Sequence, residues 1–174
     1  MALVKNIDFH IHGYDDFIER VLPELDVICN ETLADPEGHF QIAIMEAVNN
    51  AAQYSLAGLT EAAVDIKMSI RDMDIKVSVS SETREFDVKR FCGEIKALGK
   101  DKKWQRKTFG EFKGTRLSGR GIWLMLEACE YLYIDVKDKT VTMCVSYPLP
   151  KKLITQNIGV LSERLFLSEN GVIY

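Results

Sequence analysis

The stretch QIAIMEAVNNAAQY, residues 41–54, has the spacing of an amphipathic helix. Its polar side chains recur at offsets of 0, 3, 4 and 7 residues, which places them on one helix face: Glu46, Asn49, Asn50 and Gln53. The other face is apolar and consists of Phe40, Ala43, Ile44, Ala47, Val48 and Ala51. An exposed helix usually turns lysines and glutamates to water, but this stripe has one carboxylate and three carboxamides. The pattern indicates either the polar rim of a partly buried helix or a functional site.

Glu46 and Asn50 lie one helical turn apart and can act together on a bound cation. The amide oxygen of asparagine is a hard ligand suited to Mg²⁺, and a carboxylate can act as a base or orient a water molecule. If the stripe is a functional site, we expect Asn50 to be the magnesium ligand and Glu46 to be the catalytic group.

A glycine-flanked arginine precedes a second predicted helix. Residues 114–126 read GTRLSGRGIWLML, in which Gly119 and Gly121 flank Arg120 just before an apolar run of helical length. Glycine lets the backbone approach an anion closely, and a helix start offers free N–H groups and the positive end of the helix dipole. Arg120 adds a forked, charged donor that suits phosphate. The segment indicates an anion site, or only a tight turn before the helix.

Together, in this order and about 70 residues apart, the two segments resemble the Bergerat-fold ATPases of the GHKL superfamily, and above all their anti-sigma-factor serine kinase branch. Residues 46–51, EAVNNA, look like the N box of that family, and residues 119–122, GRGI, look like its last glycine box. The resemblance spans residues 5–148. It implies that Glu46 is the general base, that Asn50 holds Mg²⁺ and that the glycines contact the phosphates of ATP.

The resemblance also gives the candidate cofactor-binding residues, which are Asn50, Gln53, Ser81, Gly119, Arg120, Gly121 and Ile122. The family's middle motif, Asp-x-Gly-x-Gly followed by Phe, is replaced here by SSETREFD, residues 80–87. Aligning the Phe of the motif with Phe86 puts Ser81 at the adenine-reading position. Thr83 and Glu85 then stand where the two glycines belong. A serine hydroxyl can accept a hydrogen bond from an adenine amino group, but less strongly than a carboxylate.

The composition is that of an ordinary globular domain. With 174 residues, 47% of them apolar and 28% charged, the chain suits one domain with a full core. It has no run of 18 apolar residues and no signal-peptide pattern at its start, so no contact with a membrane is expected. Four widely spaced cysteines are typical of reduced thiols in a cytoplasmic protein. The net charge of −4 argues against direct nucleic-acid binding.

Positive charge is concentrated in residues 100–120. This segment has eight lysines and arginines against two acids, a net charge of +6, so the rest of the chain carries −10. The concentration predicts a solvated basic loop, an ATP lid or a docking surface for an acidic partner. Trp104, Phe109 and Phe112 lie within it. These aromatic side chains either cover a ligand or partner, or fold back onto the domain.

The remaining pattern predicts an α+β fold. Alternating apolar residues predict strands over residues 4–12, 63–70, 74–80, 132–136 and 140–147, with two tight hairpins. Helical spacing covers residues 15–33, 87–98 and 122–131. Pro23 predicts a kink or a late start, and Gly99 predicts a helix end. Asp35 and Pro36 predict the cap and first turn of the helix that carries Glu46. We expect a two-layer sandwich, with helices covering one face of a mixed, mostly antiparallel sheet, which is also the fold that the resemblance implies.

The chain divides near residue 150. Pro148 and Pro150 predict the end of an ATPase-like domain over residues 1–150, followed by an extension over residues 151–174. The end of the extension, RLFLSENGVIY, has the pattern of a small hairpin. Its apolar content predicts a segment docked on the domain or a contact in a homodimer, and the sequence leaves both open.

The resemblance implies a regulatory protein that binds ATP and Mg²⁺, phosphorylates a serine of an antagonist protein and sequesters a sigma factor. These two proteins are therefore the expected partners. The altered middle motif keeps open a non-catalytic, partner-switching module of the same fold with weak or lost nucleotide binding. A detached sensor-kinase ATPase domain acting on a histidine ranks lower, because the sequence shows no helix pair for dimerisation.

Overall fold

The structure is a computed structural model that describes residues 4–35, 37–112, 119–137, 139–169 and 172–173. The strands are β1 (Val4–His12), β2 (Ala63–Arg71), β3 (Asp74–Ser81), β4 (Tyr131–Asp135), β5 (Thr140–Ser146), β6 (Leu165–Glu169) and β7 (Val172–Ile173). The α-helices are α1 (Tyr14–Asp16), α2 (Leu22–Val27), α3 (His39–Gln53), α4 (Val88–Lys100), α5 (Phe109–Phe112), α6 (Arg120–Ala128) and α7 (Ile158–Glu163). The strands form one sheet in the order β1-β2-β3-β5-β4-β6-β7, antiparallel except between β4 and β6.

Helices cover one face of this sheet, so the predicted α+β sandwich is confirmed. Side chains on β2 alternate between exposed and buried, because successive residues of a strand point to opposite faces. The buried set on β2 consists of Val64, Ile66, Met68 and Ile70. The apolar face of α3 belongs to the same core. Within the described ranges, no helix is both long and apolar enough to span a membrane.

The first strand and the two hairpins agree with the prediction to within one residue at each end. β2 and β3 pair from Val64 with Ser81 to Arg71 with Asp74, which leaves two residues in the turn. Asp72 in that turn has a φ of +48°, a left-handed conformation that aspartate tolerates better than most residues. Asp138, expected in the turn between β4 and β5, lies outside the described residues.

β1 forms one edge of the sheet, and its end is covered by side chains. Arg20 donates a hydrogen bond to the carbonyl oxygen of His10 at 2.6 Å, and the backbone N–H of His12 donates to the Asp16 carboxylate at 3.0 Å. The hydrogen bonds from Arg20 and from the His12 backbone lower the pKa of Asp16 to about 2. Such contacts block the pairing of another strand with this part of the edge.

The predicted first helix spans residues 14–32 and mixes two kinds of turn. The π-helical turns are Phe17–Val21 and Ile28–Thr32. The N–H of Leu22 donates to the carbonyl of Phe17, five residues back, directly before Pro23. Pro23 has no N–H, and it lies in the first turn of α2, where a helix tolerates proline.

α3 begins at His39, later than the sequence predicts. Asp35 does act as a cap, since its carboxylate accepts hydrogen bonds from the N–H groups of Phe40 at 3.0 Å and Gln41 at 3.1 Å. The N-cap position is held by Gly38 in a left-handed conformation. The predicted start is wrong because the Asp35 carboxylate reaches the helix across an intervening turn. Pro36 lies outside the described residues.

Two predicted helix ends are also wrong. Gly99 does not end α4, which continues to Lys100; it lies where α4 packs on α7. A β-carbon at Gly99 would lie 2.6 Å from the Ser162 β-carbon, so the glycine permits the close approach of two helices. The helix predicted over residues 122–131 ends at Ala128, because Cys129 is extended and leads the chain into β4.

Replacing Gly99 with alanine is expected to destabilise the protein by about 1–3 kcal/mol, because α4 and α7 would have to separate. Gly93→Ala is a matched control on the same helix, since no atom lies within 4 Å of a β-carbon there. The control should stabilise the protein by about 0.5–1 kcal/mol through helix propensity. Denaturant unfolding measures both variants, and equal midpoints would contradict the assigned role of Gly99.

The C-terminal segment is packed against the rest of the chain. β6 pairs in parallel with β4, and β7 pairs with β6 as the predicted hairpin. Ile158, Leu161 and Leu165 are fully buried. The described part of residues 151–174 therefore extends the sheet and contributes to the same core.

Candidate functional site

Glu46 and Asn50 reach from α3 to the first turn of α6. A β-carbon at Gly121 would lie 2.9 Å from Glu46 Oε2 and 3.0 Å from Asn50 Nδ2. Both polar side chains are half-buried. The two motifs found in the sequence therefore meet in space. Only glycine at position 121 leaves both side chains undisturbed.

α6 begins at a left-handed glycine. Gly119 occupies the N-cap position with a φ of +95°, a conformation that is strained for residues with a β-carbon. The first N–H groups of a helix have no partner within the helix, and they carry the positive end of its dipole. Since Glu46 approaches Gly121 in this first turn, its carboxylate lies near that positive end.

The other predicted site residues lie in different surroundings. Arg120, the first residue of α6, is exposed. Ile122 is 5% exposed and belongs to the hydrophobic core, so its side chain stabilises α6 and is not available to a ligand. Gln53 is exposed at the C-terminal end of α3. The structure thus brings Glu46 and Asn50 to the start of α6 but leaves Gln53 outside this cluster.

Ser81, the last residue of β3, is buried. It continues the inward-facing set of β3, which consists of Ile75, Val77 and Val79, and it is 9% exposed. Among the described residues, its Oγ is the buried side-chain polar atom that has no hydrogen-bond partner. Burying a hydroxyl without a partner costs about 1–3 kcal/mol.

The segment after Ser81 is tied to the end of α3. The two backbone hydrogen bonds are Leu56 N–H to Glu82 O and Arg84 N–H to Tyr54 O, both 2.8 Å. Between them, Ser55 and Thr83 form an antiparallel bridge. Glu85 is exposed. The replaced middle motif is therefore a short paired segment and not an open glycine loop.

Tyr14 is a neighbour of Glu46 that sequence reasoning did not find. Burial, and to a lesser extent the Glu46 carboxylate, raise the pKa of Tyr14. Gly13, with a φ of +83°, fits the chain against Thr60, whose carbonyl carbon would lie 2.9 Å from a β-carbon. The N–H of Tyr14 donates to the carbonyl of Leu59 at 2.9 Å. The dipeptide Gly-Tyr after a strand has no distinctive pattern, so only the packing reveals this position.

The aromatic residues of the basic segment fold back onto the domain. The Phe109 ring stacks on Trp123 of α6 with centroids 6.2 Å apart, and the Phe112 ring meets Trp123 at 6.0 Å. Trp104 packs edge-on against Phe112 at 5.0 Å, and two lysine ammonium groups lie over the Trp104 ring at 4.7 and 5.4 Å. Residues 113–118, in the middle of the expected lid, lie outside the described residues.

The described residues support neither a reactive cysteine nor a metal site in which three or more His, Cys, Asp or Glu side chains are the ligands. The free cysteines are Cys29, Cys92, Cys129 and Cys144. Burial raises the pKa of Cys29 to about 12 and that of Cys92 to about 11, which makes these thiols poor nucleophiles. In the described part of the chain, no group of three or more His, Cys, Asp or Glu side chains could hold a metal ion.

The chain matches no protein-family model and no curated protein. The interpretation of the site therefore depends on the residues themselves: the Glu46 and Asn50 side chains and the glycine-rich start of α6.

Proposed function

We propose that the protein is a cytoplasmic, ATP-binding regulator similar to the anti-sigma-factor serine/threonine kinases. It would phosphorylate an antagonist protein and sequester a sigma factor, without direct contact with nucleic acid or a membrane. The observation that carries the proposal is the meeting of Glu46 and Asn50 with the backbone of Gly121 at the start of α6. A base, a magnesium ligand and an anion-binding helix start suit phosphoryl transfer, because such sites act mainly by positioning and charge neutralisation.

One observation supports the fit of a magnesium nucleotide. The backbone of Gly121 lies against the Glu46 carboxylate and the Asn50 carboxamide, because a β-carbon at Gly121 would lie 2.9 Å from Glu46 Oε2 and 3.0 Å from Asn50 Nδ2. Asn50 would hold Mg²⁺ through its amide oxygen, because Mg²⁺ takes few ligands from the protein and keeps water and phosphate oxygens. When bound, ATP supplies the phosphoryl group and Mg²⁺ neutralises part of its charge.

Glu46, the backbone at the start of α6 and Arg120 have separate roles in this proposal. Glu46 accepts the proton from the serine hydroxyl of the protein substrate, as a general base must. The backbone N–H groups of residues 119–121 bind phosphate oxygens at the positive end of α6. The exposed guanidinium of Arg120 adds a charged, bidentate donor for the same oxygens.

A second candidate is a partner-switching module of the same fold that does not transfer phosphate. It is favoured by the segment after β3, where backbone pairing ties residues 82–84 to residues 54–56. Thr83 and Glu85 also carry side chains where the related family has glycines. Three apolar side chains in or next to these paired segments are more than half exposed: Tyr54, Leu56 and Phe86. Exposed apolar groups that lie together are typical of a protein-binding surface.

Calorimetric titration with Mg-ATP tests which of the two candidates is right. For the kinase, we expect binding that Asn50→Ala weakens about 10- to 100-fold, because a lost interaction with a charged group is worth about 1.5–3 kcal/mol. Gln53→Ala is the matched control: it removes an exposed carboxamide from the same stripe and should change the affinity less than about twofold. Absence of binding in all three folded proteins would reject the kinase and leave the partner-switching module.

A further inference from the structure

A polar groove lies on the sheet face that is turned away from the helices. It crosses β1, β2 and β3 and has a volume of about 520 Å³, which is within the range of small-molecule sites. Most such sites are apolar, but eight of the nine residues that line this groove are charged or polar. The ninth, Met68, turns its side chain to the core. The lining of the polar groove therefore suits a hydrophilic ligand.

Ser69 lies at the centre of the polar groove. Lys67 and Arg71 flank it along β2, because residues two apart on a strand share a face. Across the strands, Ser69 is paired with Asn6 of β1 and with Lys76 of β3. Side chains that are directly opposite in an antiparallel pair have β-carbons about 4.5–5.5 Å apart. The Ser69 hydroxyl is thus surrounded by four side chains that can donate hydrogen bonds, and three of them are cations.

The cations of the polar groove are not neutralised by neighbouring carboxylates. Asp8 is directly opposite Lys67, and no salt bridge joins them. Asp74 is directly opposite Arg71, again without a salt bridge. In the part of the chain that the structure describes, Lys76 has no carboxylate at salt-bridge distance either. All three cations are exposed, so they are accessible to an anion from solution.

A neighbouring pair on the same face shows what a neutralised position looks like. His10 of β1 and Asp65 of β2 are also directly opposite, and there the imidazole Nδ1 and the carboxylate oxygen are 2.7 Å apart. Lys67 and Arg71 face carboxylates in the same register without such a contact. Since like charges on one sheet face repel each other, an anion bound among the three cations would offset this repulsion.

We propose that the polar groove binds a small soluble anion with two or more phosphate groups. Lysine and arginine are the side chains that bind phosphate most strongly, and the Ser69 hydroxyl and the Asn6 amide add neutral donors. Lys67 and Arg71 are four residues apart, about 13 Å along an extended strand. Several linked phosphate groups can therefore contact more of the cations than one phosphate can. The inference does not rest on the proposed function, because Glu46 and Asn50 lie on the helical side of the sheet.

Calorimetric titration of the full chain with inorganic tripolyphosphate in the presence of EDTA tests the inference. We expect Lys76→Ala to weaken binding by about 3- to 10-fold, because a hydrogen bond between charged groups is lost. Asp74→Asn should strengthen binding by about 2- to 5-fold, because it removes a negative charge from the groove. Lys5→Ala is the matched control: it removes an exposed lysine from the opposite face of β1 and should change the affinity less than about twofold.

Two further ligands identify the source of the phosphate groups. Inorganic phosphate should bind more weakly than tripolyphosphate, and equal affinity would overturn the requirement for several phosphate groups. Phosphatidylcholine vesicles that contain phosphatidylinositol bisphosphate present the same chemistry on a lipid. Binding to these vesicles without binding of tripolyphosphate would make a lipid headgroup the ligand and overturn the assignment of a soluble anion.

The variants separate failure of this inference from failure of the proposed function. Equal losses in Lys76→Ala and Lys5→Ala would indicate general attraction to a basic surface and overturn the inference. A loss in Arg120→Ala without one in Lys76→Ala would place the anion at the start of α6, which would also overturn it. No binding of tripolyphosphate to the folded protein would reject the polar groove as a site. None of these results changes the outcome of the Mg-ATP titration with Asn50→Ala.

Discussion

A chain truncated after Pro150 is expected to lose its cooperative unfolding transition. The truncation removes Ile158, Leu161 and Leu165, which are fully buried, together with the strand that pairs with β4. Burial of each of these aliphatic side chains contributes about 1.5–3 kcal/mol, so their joint loss is about 5–9 kcal/mol. A domain has about 5–15 kcal/mol of total stability, so little or none would remain.

Circular dichroism during denaturant unfolding measures the loss of the cooperative transition. Two point variants in α7 test whether the buried side chains of this segment provide the stability. Leu161→Ala should cost about 2–5 kcal/mol, because its side chain is fully buried in the core. Val160→Ala, one residue earlier and 40% exposed, should change the stability by less than about 0.5 kcal/mol. A truncated chain as stable as the full one, or equal effects of the two variants, would contradict the role given to this segment.

The C-terminal segment also forms backbone hydrogen bonds with the basic segment. The N–H of Ile158 donates to the carbonyl of Lys107 at 2.8 Å, and the N–H of Gly159 donates to the carbonyl of Gln105 at 3.0 Å. These bonds hold the basic segment that precedes α6. Loss of the C-terminal segment would therefore disturb the core and also release Gln105 and Lys107, which lie close in sequence to the aromatic residues that pack on Trp123 of α6.

The strands and the polar stripe of α3 can be predicted from the sequence because their signals are local. Alternation with a period of two fixes which residues of β2 and β3 face the core, whatever the rest of the chain does. The spacing of Glu46 and Asn50 likewise fixes that both lie on one face of α3. That they meet Gly121 is seen only in the structure, since spacing alone cannot bring two distant helices together.

Features that depend on tertiary contacts could not be predicted. Gly99 has the sequence pattern of a helix end. In the structure, its lack of a side chain lets α7, about 60 residues further along the chain, pack closely on α4. The aromatic residues of the basic segment could have covered a ligand, and only their contact with Trp123 decides the question. The unpaired hydroxyl of Ser81 and the position of Tyr14 beside Glu46 are also properties of packing.

For the proposed kinase, replacement of Glu46 by glutamine is expected to lower phosphoryl transfer by about 10²- to 10⁴-fold while Mg-ATP binding stays within a few-fold. A general base contributes rate enhancement of this size, and the amide cannot accept the proton of the substrate hydroxyl. Glutamine has nearly the shape of glutamate, so the close contact with Gly121 and the packing of α3 against α6 should persist. The loss would then appear in the chemical step and not in the affinity.

The measurement is single-turnover transfer of labelled phosphate from ATP to the protein substrate, with calorimetric titration of Mg-ATP beside it. Gln53→Ala serves again as control, since Gln53 is exposed and lies outside the cluster at Gly121, and it should keep full activity. Transfer by Glu46→Gln within tenfold of the unaltered protein would remove Glu46 as the base. Weaker binding with an unchanged transfer rate at saturating Mg-ATP would instead give this carboxylate a role in holding the nucleotide, because an interaction made equally in the ground and transition states changes affinity and not the rate of the bound complex.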